Sequence, residues 1–332
     1  MTNGPSSDPE PPRGPDRRAD PADFRAQVRA RRADLERQVQ ETKAQFDQAN
    51  EKIRARTGRN LILAILIGLG FGLIMLFSLI IVKEAFMLVA AALAAFASLE
   101  IADAFRGSGR RVPRTPTVIA AVAMVPAAFY LTSAGLWCAT IGGILFVALW
   151  RLIEECVPSR RGSGRALVRD LLSVTLIQIY VPFLAGFSVL LVAQPNGQWW
   201  TLAFLILVIA VDTGAYASGL AFGKHPMAPA ISPKKTWEGF AGAAATSMVA
   251  GILLAVFMLH VSWWFGLVFG PVMLLTGTLG DLAESLIKRD LGVKDMSSWL
   301  PGHGGFLDRL DSILPSAAAA YALYIVFAPL LA

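Results

Sequence analysis

The sequence predicts an all-α polytopic integral membrane protein of about nine transmembrane helices, with its N-terminus cytoplasmic and its C-terminus outside. Three observations predict this. The 332-residue chain is 55% hydrophobic and only 16% charged, whereas a soluble domain would carry roughly 25% charge. Its apolar residues gather into long runs of the length that spans a bilayer. Basic and neutral connections alternate between those runs without a break, which is the positive-inside pattern. The net charge of +6 would suit nucleic acid in a soluble chain. Here the cytoplasmic loops account for it, and no nucleic-acid partner is expected.

Residues 1–58 read as a cytoplasmic N-terminal extension. The first twenty or so are Pro, Gly, Ser, Asp and Arg, a composition that cannot bury a core and is expected to be disordered. A charged helix follows, on which Phe24, Val28, Leu35, Val39, Phe46 and Ile53 form a narrow apolar stripe. From Val28 the stripe fits a heptad seam interrupted by Arg32 and Thr42, so a short coiled coil, a membrane-surface helix and a solvated helix all remain open. The polar N-terminus has no short apolar core with a cleavage site, so no cleavable signal peptide is expected.

Residues 59–332 form the membrane domain. Nine apolar segments run at about Leu61–Ile81, Ala85–Ala102, Thr117–Thr132, Leu136–Ile153, Leu171–Ala193, Trp199–Phe222, Gly239–His260, Trp263–Ile287 and Arg309–Leu331. Arg106, Arg110, Arg111 and Arg114 follow the second, Arg160, Arg161, Arg165 and Arg169 the fourth, Lys224, Lys234 and Lys235 the sixth, and Lys288, Arg289 and Lys294 the eighth. The intervening connections hold almost no basic residue, Lys83 excepted, and Trp199, Trp200, Trp263 and Trp264 fall at the outer ends, as an aromatic belt requires. The two cysteines, Cys138 and Cys156, sit near opposite ends of one segment, about 27 Å apart at helical rise, too far for a disulfide. They read as inert packing residues.

Two of the cytoplasmic loops differ from ordinary connectors. The first follows Asp212, an acid inside an apolar helix, and continues through Tyr216 and Gly219 to Ser232-Pro-Lys234-Lys235-Thr236-Trp-Glu238-Gly239. Asp212 alone fits a structural hydrogen bond as well as a functional group. Ser232–Glu238 can open the seventh helix, with Thr236 as N-cap and Glu238 in the first turn. A helix start flanked by two lysines also favours anions. The second loop is richer. Asp281, Glu284, Ser285 and Lys288 share one helical face, and Arg289, Lys294 and the Gly302-His303-Gly304-Gly305 turn lead to Asp308, Arg309, Asp311 and Ser312. Clustered carboxylates beside Lys and Arg suit a Mg²⁺-nucleotide, because Mg²⁺ takes one or two carboxylates plus substrate phosphates. A salt-bridge network joining helix ends is the plainer reading of any single residue. His303 fits a general acid, a phosphate donor or a loop hydrogen bond. With no second His or Cys nearby, zinc is not expected.

The run Ser285, Lys288-Arg289, Lys294-Asp295, Ser297, Leu300-Pro301, His303-Gly304-Gly305 and Asp308-Arg309-Leu310-Asp311 resembles the signature of the phosphatidate cytidylyltransferases (CDP-diacylglycerol synthases). Ser232–Gly239 and Asp212…Tyr216…Gly219 are similar to that family too, so the resemblance covers about Val211–Ser312. It implies a phospholipid-biosynthetic enzyme that joins CTP to phosphatidic acid, giving CDP-diacylglycerol and pyrophosphate, in a bacterial plasma membrane with its site facing the cytoplasm. By the resemblance, Asp281 and Asp308 are the leading ligands of Mg²⁺, or of a pair of cations, with Glu284 and Asp311 secondary and Asp212 completing the charge cluster. Lys234, Lys235, Lys288, Arg289, Lys294 and Arg309 are expected to contact phosphates. Ser232, Glu238, Ser285, His303, Gly304 and Gly305 are expected around the substrate. The resemblance and the N-terminal stripe are consistent with a homodimer. Two other readings stay open at this point: a cytidylyltransferase for another membrane lipid phosphate, and an ion-coupled transporter using Asp212, Asp281 and Asp308 as relays. No internal repeat supports the transporter.

Overall fold

The computed structural model describes residues 37, 38, 40, 61–157, 162–297, 299 and 304–331, with backbone alone at 61–67 and 331. The chain divides into a unit of residues 1–62 and a unit of residues 63–332. In the first unit only Arg37, Gln38, Gln40, Leu61 and Ile62 are described, all helical. The apolar stripe expected on the N-terminal helix, His303, and Arg160 and Arg161 lie outside the described residues.

Ten helices and one hairpin follow in order: α1 (Leu61–Ile80), α2 (Lys83–Gly107), α3 (Arg114–Cys156), α4 (Gly164–Gln178), a π-helical turn (Ile179–Phe183), α5 (Leu184–Ala193), α6 (Gly197–Phe222), β1 (Pro226–Ala228), β2 (Ser232–Thr236), α7 (Trp237–Phe257), α8 (Trp263–Asp290), α9 (Leu307–Leu310) and α10 (Ile313–Leu331). Among the described residues seven helical stretches are long and apolar enough to cross a membrane, and Gly68–Ile80 is a shorter apolar helix. Large apolar side chains such as Leu73, Leu145, Ile209 and Val249 are each more than half exposed. Water would penalise such a surface, but lipid does not.

The expected third and fourth segments are the two halves of α3, parted where expected. At 43 residues, α3 would run about 65 Å at 1.5 Å per residue, twice the roughly 30 Å hydrocarbon layer. It breaks at Thr132, whose φ of 60° and ψ of −156° are not helical. The two halves then pack against each other. Thr140 Oγ1 contacts Met124 Sδ at 3.6 Å, and Gly143 stands against Ala120. At the tip a Cβ on Gly135 would overlap the Ala127 carbonyl, so only glycine permits this return. The expected all-α architecture also gains one element. β1 and β2 pair antiparallel, with Pro226 opposite Thr236 and Ala228 opposite Ser232. The cysteines are free, but both are exposed rather than packed.

The basic connections converge at one end of the molecule. Arg110 pairs with Asp290 at 2.8 Å and donates to Ser173. The Arg111 N–H donates to Asp170, and Arg289 Nε donates to the Ile231 carbonyl in the hairpin. At the other end Lys83, the exception in the basic alternation, donates to the Gln194 carbonyl, and Tyr324 to that of Pro195. Beneath the basic end, Ile101, Phe105, Val174, Ile177, Val181 and Leu307 form one buried apolar cluster. A second, with Phe204, Phe265, Phe269 and Met273, joins α6, α8 and α10.

Candidate active site

The two unusual loops meet. Thr236 caps α7 as expected, its side chain accepting from the Gly239 N–H at 3.1 Å. That cap fixes the end of β2 and carries Lys234 and Lys235 over α6. Helices α6 and α7 approach so closely that a Cβ on Gly242 would overlap the Ser218 hydroxyl, the small-residue contact by which membrane helices pack. Between them and α8 lies a cleft of about 480 Å³. Asp212, Ser232, Lys234, Lys235, Thr236 and Asp281 line its polar side, and Val211, Tyr216, Leu220 and Phe240 its apolar side. Lys235 Nζ stands 2.6 Å from Asp281 Oδ2, and Ser285 Oγ donates to Asp281 Oδ1 at 3.3 Å. Asp212 and Asp311 both feel the Asp281 charge, and Asp212 also feels Arg309.

A second polar cluster adjoins the first along α8. Glu284 is fully buried. Lys288, one turn on, lies 2.5 Å from Glu284 Oε2 and 3.0 Å from Asp308 Oδ1. The other Asp308 oxygen accepts from the Gly305 N–H at 2.8 Å, so the second half of the Gly-rich turn is closed onto α9. Glu284 Oε1 is buried without a hydrogen-bond partner. Gly304 has a φ of +82°, in the left-handed region that glycine adopts without strain. Helices α8 and α10 touch at Gly280, where a Cβ would overlap the Asp311 carbonyl. That contact brings Asp311 beside Asp281.

The expected residues therefore divide. Asp212, Ser232, Lys234, Lys235 and Asp281 line the cleft, with Ser285 bonded to Asp281 behind it, and Glu284, Lys288, Gly305 and Asp308 belong to the adjoining cluster. Asp311 and Arg309 stand between acids of the two helices. Glu238 does different work. Its carboxylate accepts from the N–H groups of Lys224 and His225 and meets His225 Nδ1 at 2.5 Å, clamping the entry to the hairpin. Arg289 is spent on the hairpin backbone, and Lys294 is exposed on the following loop.

Sequence reasoning missed four polar residues. Tyr180, in the π-helical turn, donates to the Gly280 carbonyl at 3.4 Å beside these acids. Arg151 and Asp170, each almost fully buried, pair at 2.9 Å. Glu100 bonds to the Gly-rich loop. Glu100 had a legible signal, an ionisable residue inside an apolar run, which is the reasoning that found Asp212.

The cytidylyltransferase family model matches residues 62–327. The chain is 39% identical to the phosphatidate cytidylyltransferase of Mycobacterium bovis over 272 residues, covering 80% of this chain and 89% of that one. It is 37% identical to the phosphatidate cytidylyltransferase of Mycobacterium leprae over 276 residues, covering 81% and 88%. A shorter match, 39% over 151 residues, covers 44% of this chain and 56% of the phosphatidate cytidylyltransferase of Brucella suis. With its two motif loops joined across one acidic and basic cleft, the chain belongs to the cytidylyltransferase family.

Proposed function

We propose that the protein transfers CMP from CTP to phosphatidic acid, giving CDP-diacylglycerol and pyrophosphate for phospholipid synthesis. The carrying observation is the 2.6 Å contact of Lys235 with Asp281, which unites the two motif loops in one cleft whose other wall is apolar. A phosphate oxygen of the lipid attacks the α-phosphorus of CTP. The bond from that phosphorus to the β-phosphate bridging oxygen breaks, and pyrophosphate leaves. The nucleophile is already ionised near neutral pH, so positioning and charge neutralisation supply most of the catalysis. Lys234 and Lys235 approach the triphosphate from the hairpin and Lys288 from α8. Tyr216 and Leu220, both exposed on α6, leave the apolar side of the cleft open to lipid.

Mg²⁺ fits this donor set. Asp212, Asp281 and Asp311 repel one another, and Glu284 Oε1 is an unpartnered buried acceptor. Among the described residues no three His, Cys, Asp or Glu side chains converge tightly enough to enclose an ion, so protein would give one or two ligands and substrate phosphates the rest. Asp281, with Asp212 or Asp311, is the leading holder. Both Asp308 oxygens are engaged by Lys288 and Gly305, which makes Asp308 the organiser of the turn. When bound, the ion would neutralise charge on the triphosphate.

We further infer nine passes, counting α1 once and α3 twice. The basic end lies in the cytoplasm of a bacterial plasma membrane, as basic-loop alternation directs, and two copies associate. Purified protein given labelled CTP, Mg²⁺ and phosphatidic acid is expected to release pyrophosphate in step with labelled lipid. Release only with another lipid phosphate would overturn the substrate assignment.

A further inference from the structure

Glu100 has no part in the chemistry above, yet the membrane should exclude it. It is 1% exposed in α2, where an ionisable side chain is costly unless it is partnered. Its partners lie 197 and 207 positions away. The Ser297 hydroxyl donates to one carboxylate oxygen, and the Leu307 N–H donates to the other at 2.8 Å. Gly305 packs so close that any Cβ would overlap Glu100 Oε1. One turn earlier on the same helical face, Phe96 stacks on Phe306, with centroids 4.9 Å apart and planes 14° apart, and meets the edge of Trp299 at 6.3 Å. The Trp299 N–H in turn donates to Ser297 Oγ.

These contacts grip both ends of the Gly-rich loop. Ser297 precedes the turn, and Leu307 opens the short helix that carries Asp308. We propose that Glu100 is a positioning residue for the reaction: with Phe96 it clasps Ser297, Trp299, Phe306 and Leu307 to α2 and so holds Gly305, Asp308 and Lys288 in register for the nucleotide phosphates. The proposal rests on the reading of the Asp281–Asp308 region as the active site. Phe96 supplies apolar area, which resists separation but tolerates sliding. Glu100 accepts directed hydrogen bonds from Ser297 and Leu307, which fix register. A loop so placed loses rate steeply on small displacement, because misplacement of about 1 Å costs roughly 100-fold.

The test uses the full chain reconstituted in vesicles, with Glu100→Gln, Glu100→Asp, Ser297→Ala and Asp308→Asn compared for kcat, both KM values, thermal midpoint and amide exchange. Glu100→Gln is expected to lower kcat about 10- to 100-fold, to speed exchange across residues 297–307 alone, and to leave KM for phosphatidic acid within twofold. Ser297→Ala should lower kcat less, Glu100→Asp should recover part of the loss, and the Glu100→Gln/Ser297→Ala pair should be no worse than Glu100→Gln, since both remove one shared contact. Wild-type kcat in Glu100→Gln and Ser297→Ala beside an inactive Asp308→Asn would overturn the clasp and leave the site standing. An active Asp308→Asn would overturn the site reading itself. If Glu100→Gln fails to fold, Ser297→Ala decides, since lowered kcat at an unchanged midpoint supports the clasp and unchanged kcat overturns it.

Discussion

On the proposed assignment, a triphosphate entering the cleft would compete with Asp281 for Lys235, at the 2.6 Å pair that joins the two motif loops. Removing the carboxylate charge with Asp281→Asn frees Lys235 and, on the proposed assignment, would leave Mg²⁺ without its leading ligand. Pyrophosphate release by this variant is expected to fall at least about 1,000-fold, the scale on which preorganised charge acts, while the protein stays in the membrane at normal level. Lys235→Met removes the phosphate contact and is expected to raise KM for CTP roughly 10-fold or more. A change in KM for phosphatidic acid alone would move Lys235 out of the nucleotide site. Glu284 differs from both because it is buried and half-partnered. Its place on the Asp281–Lys288 face and its i,i+4 pairing with Lys288 were readable from spacing, but its complete burial needed the fold.

Helix contacts decide which side chains can meet. Gly280 lets α8 reach the Asp311 backbone just before α10 and Pro315 within it. Gly280→Ala should push the helices apart, lower thermal stability by about 1–3 kcal/mol and separate Asp281 from Asp311. A thermal midpoint and rate equal to wild type would show that the contact is not tight. On α3 and α4, Arg151 donates from two nitrogens to Asp170 and pairs with Glu155 at 2.8 Å. Asp170→Ala leaves the buried guanidinium with Glu155 alone and should cost up to about 3–5 kcal/mol, whereas a matched apolar pair at 151 and 170 should restore much of it. This network was hidden in the sequence because Asp170 sits among loop arginines that read as topology charges. The break at Thr132 was legible, since the third and fourth apolar segments were expected to part between Thr132 and Leu136, but the tight packing of the two halves on each other becomes evident only when Gly135 meets Ala127. By contrast the Thr236 cap and the Asp281–Lys288 face were legible because capping and helical periodicity are local.

Across the whole molecule, hydropathy located the helices and basic residues sorted their connections, since both follow from the bilayer as solvent. The convergence of Arg110, Arg111, Arg289 and the hairpin at one end agrees with that sorting, and Lys83 at the opposite end explains its one exception. Cysteine introduced at Ser232 is expected to react with a membrane-impermeant thiol reagent from the cytoplasmic side, and cysteine at Asn196 from the outer side, in a Cys138→Ala/Cys156→Ala background. The reverse labelling would invert the topology and place the cleft away from CTP. What composition did not convey is the reach of the site: α2 and the π-helical turn supply Glu100 and Tyr180 from outside the Val211–Ser312 region. The most direct measurement is release of pyrophosphate from labelled CTP by purified protein in vesicles containing phosphatidic acid, wild type against Asp281→Asn. The account predicts release dependent on the lipid and Mg²⁺ in the wild type and almost none in the variant. Equal release from both would contradict it.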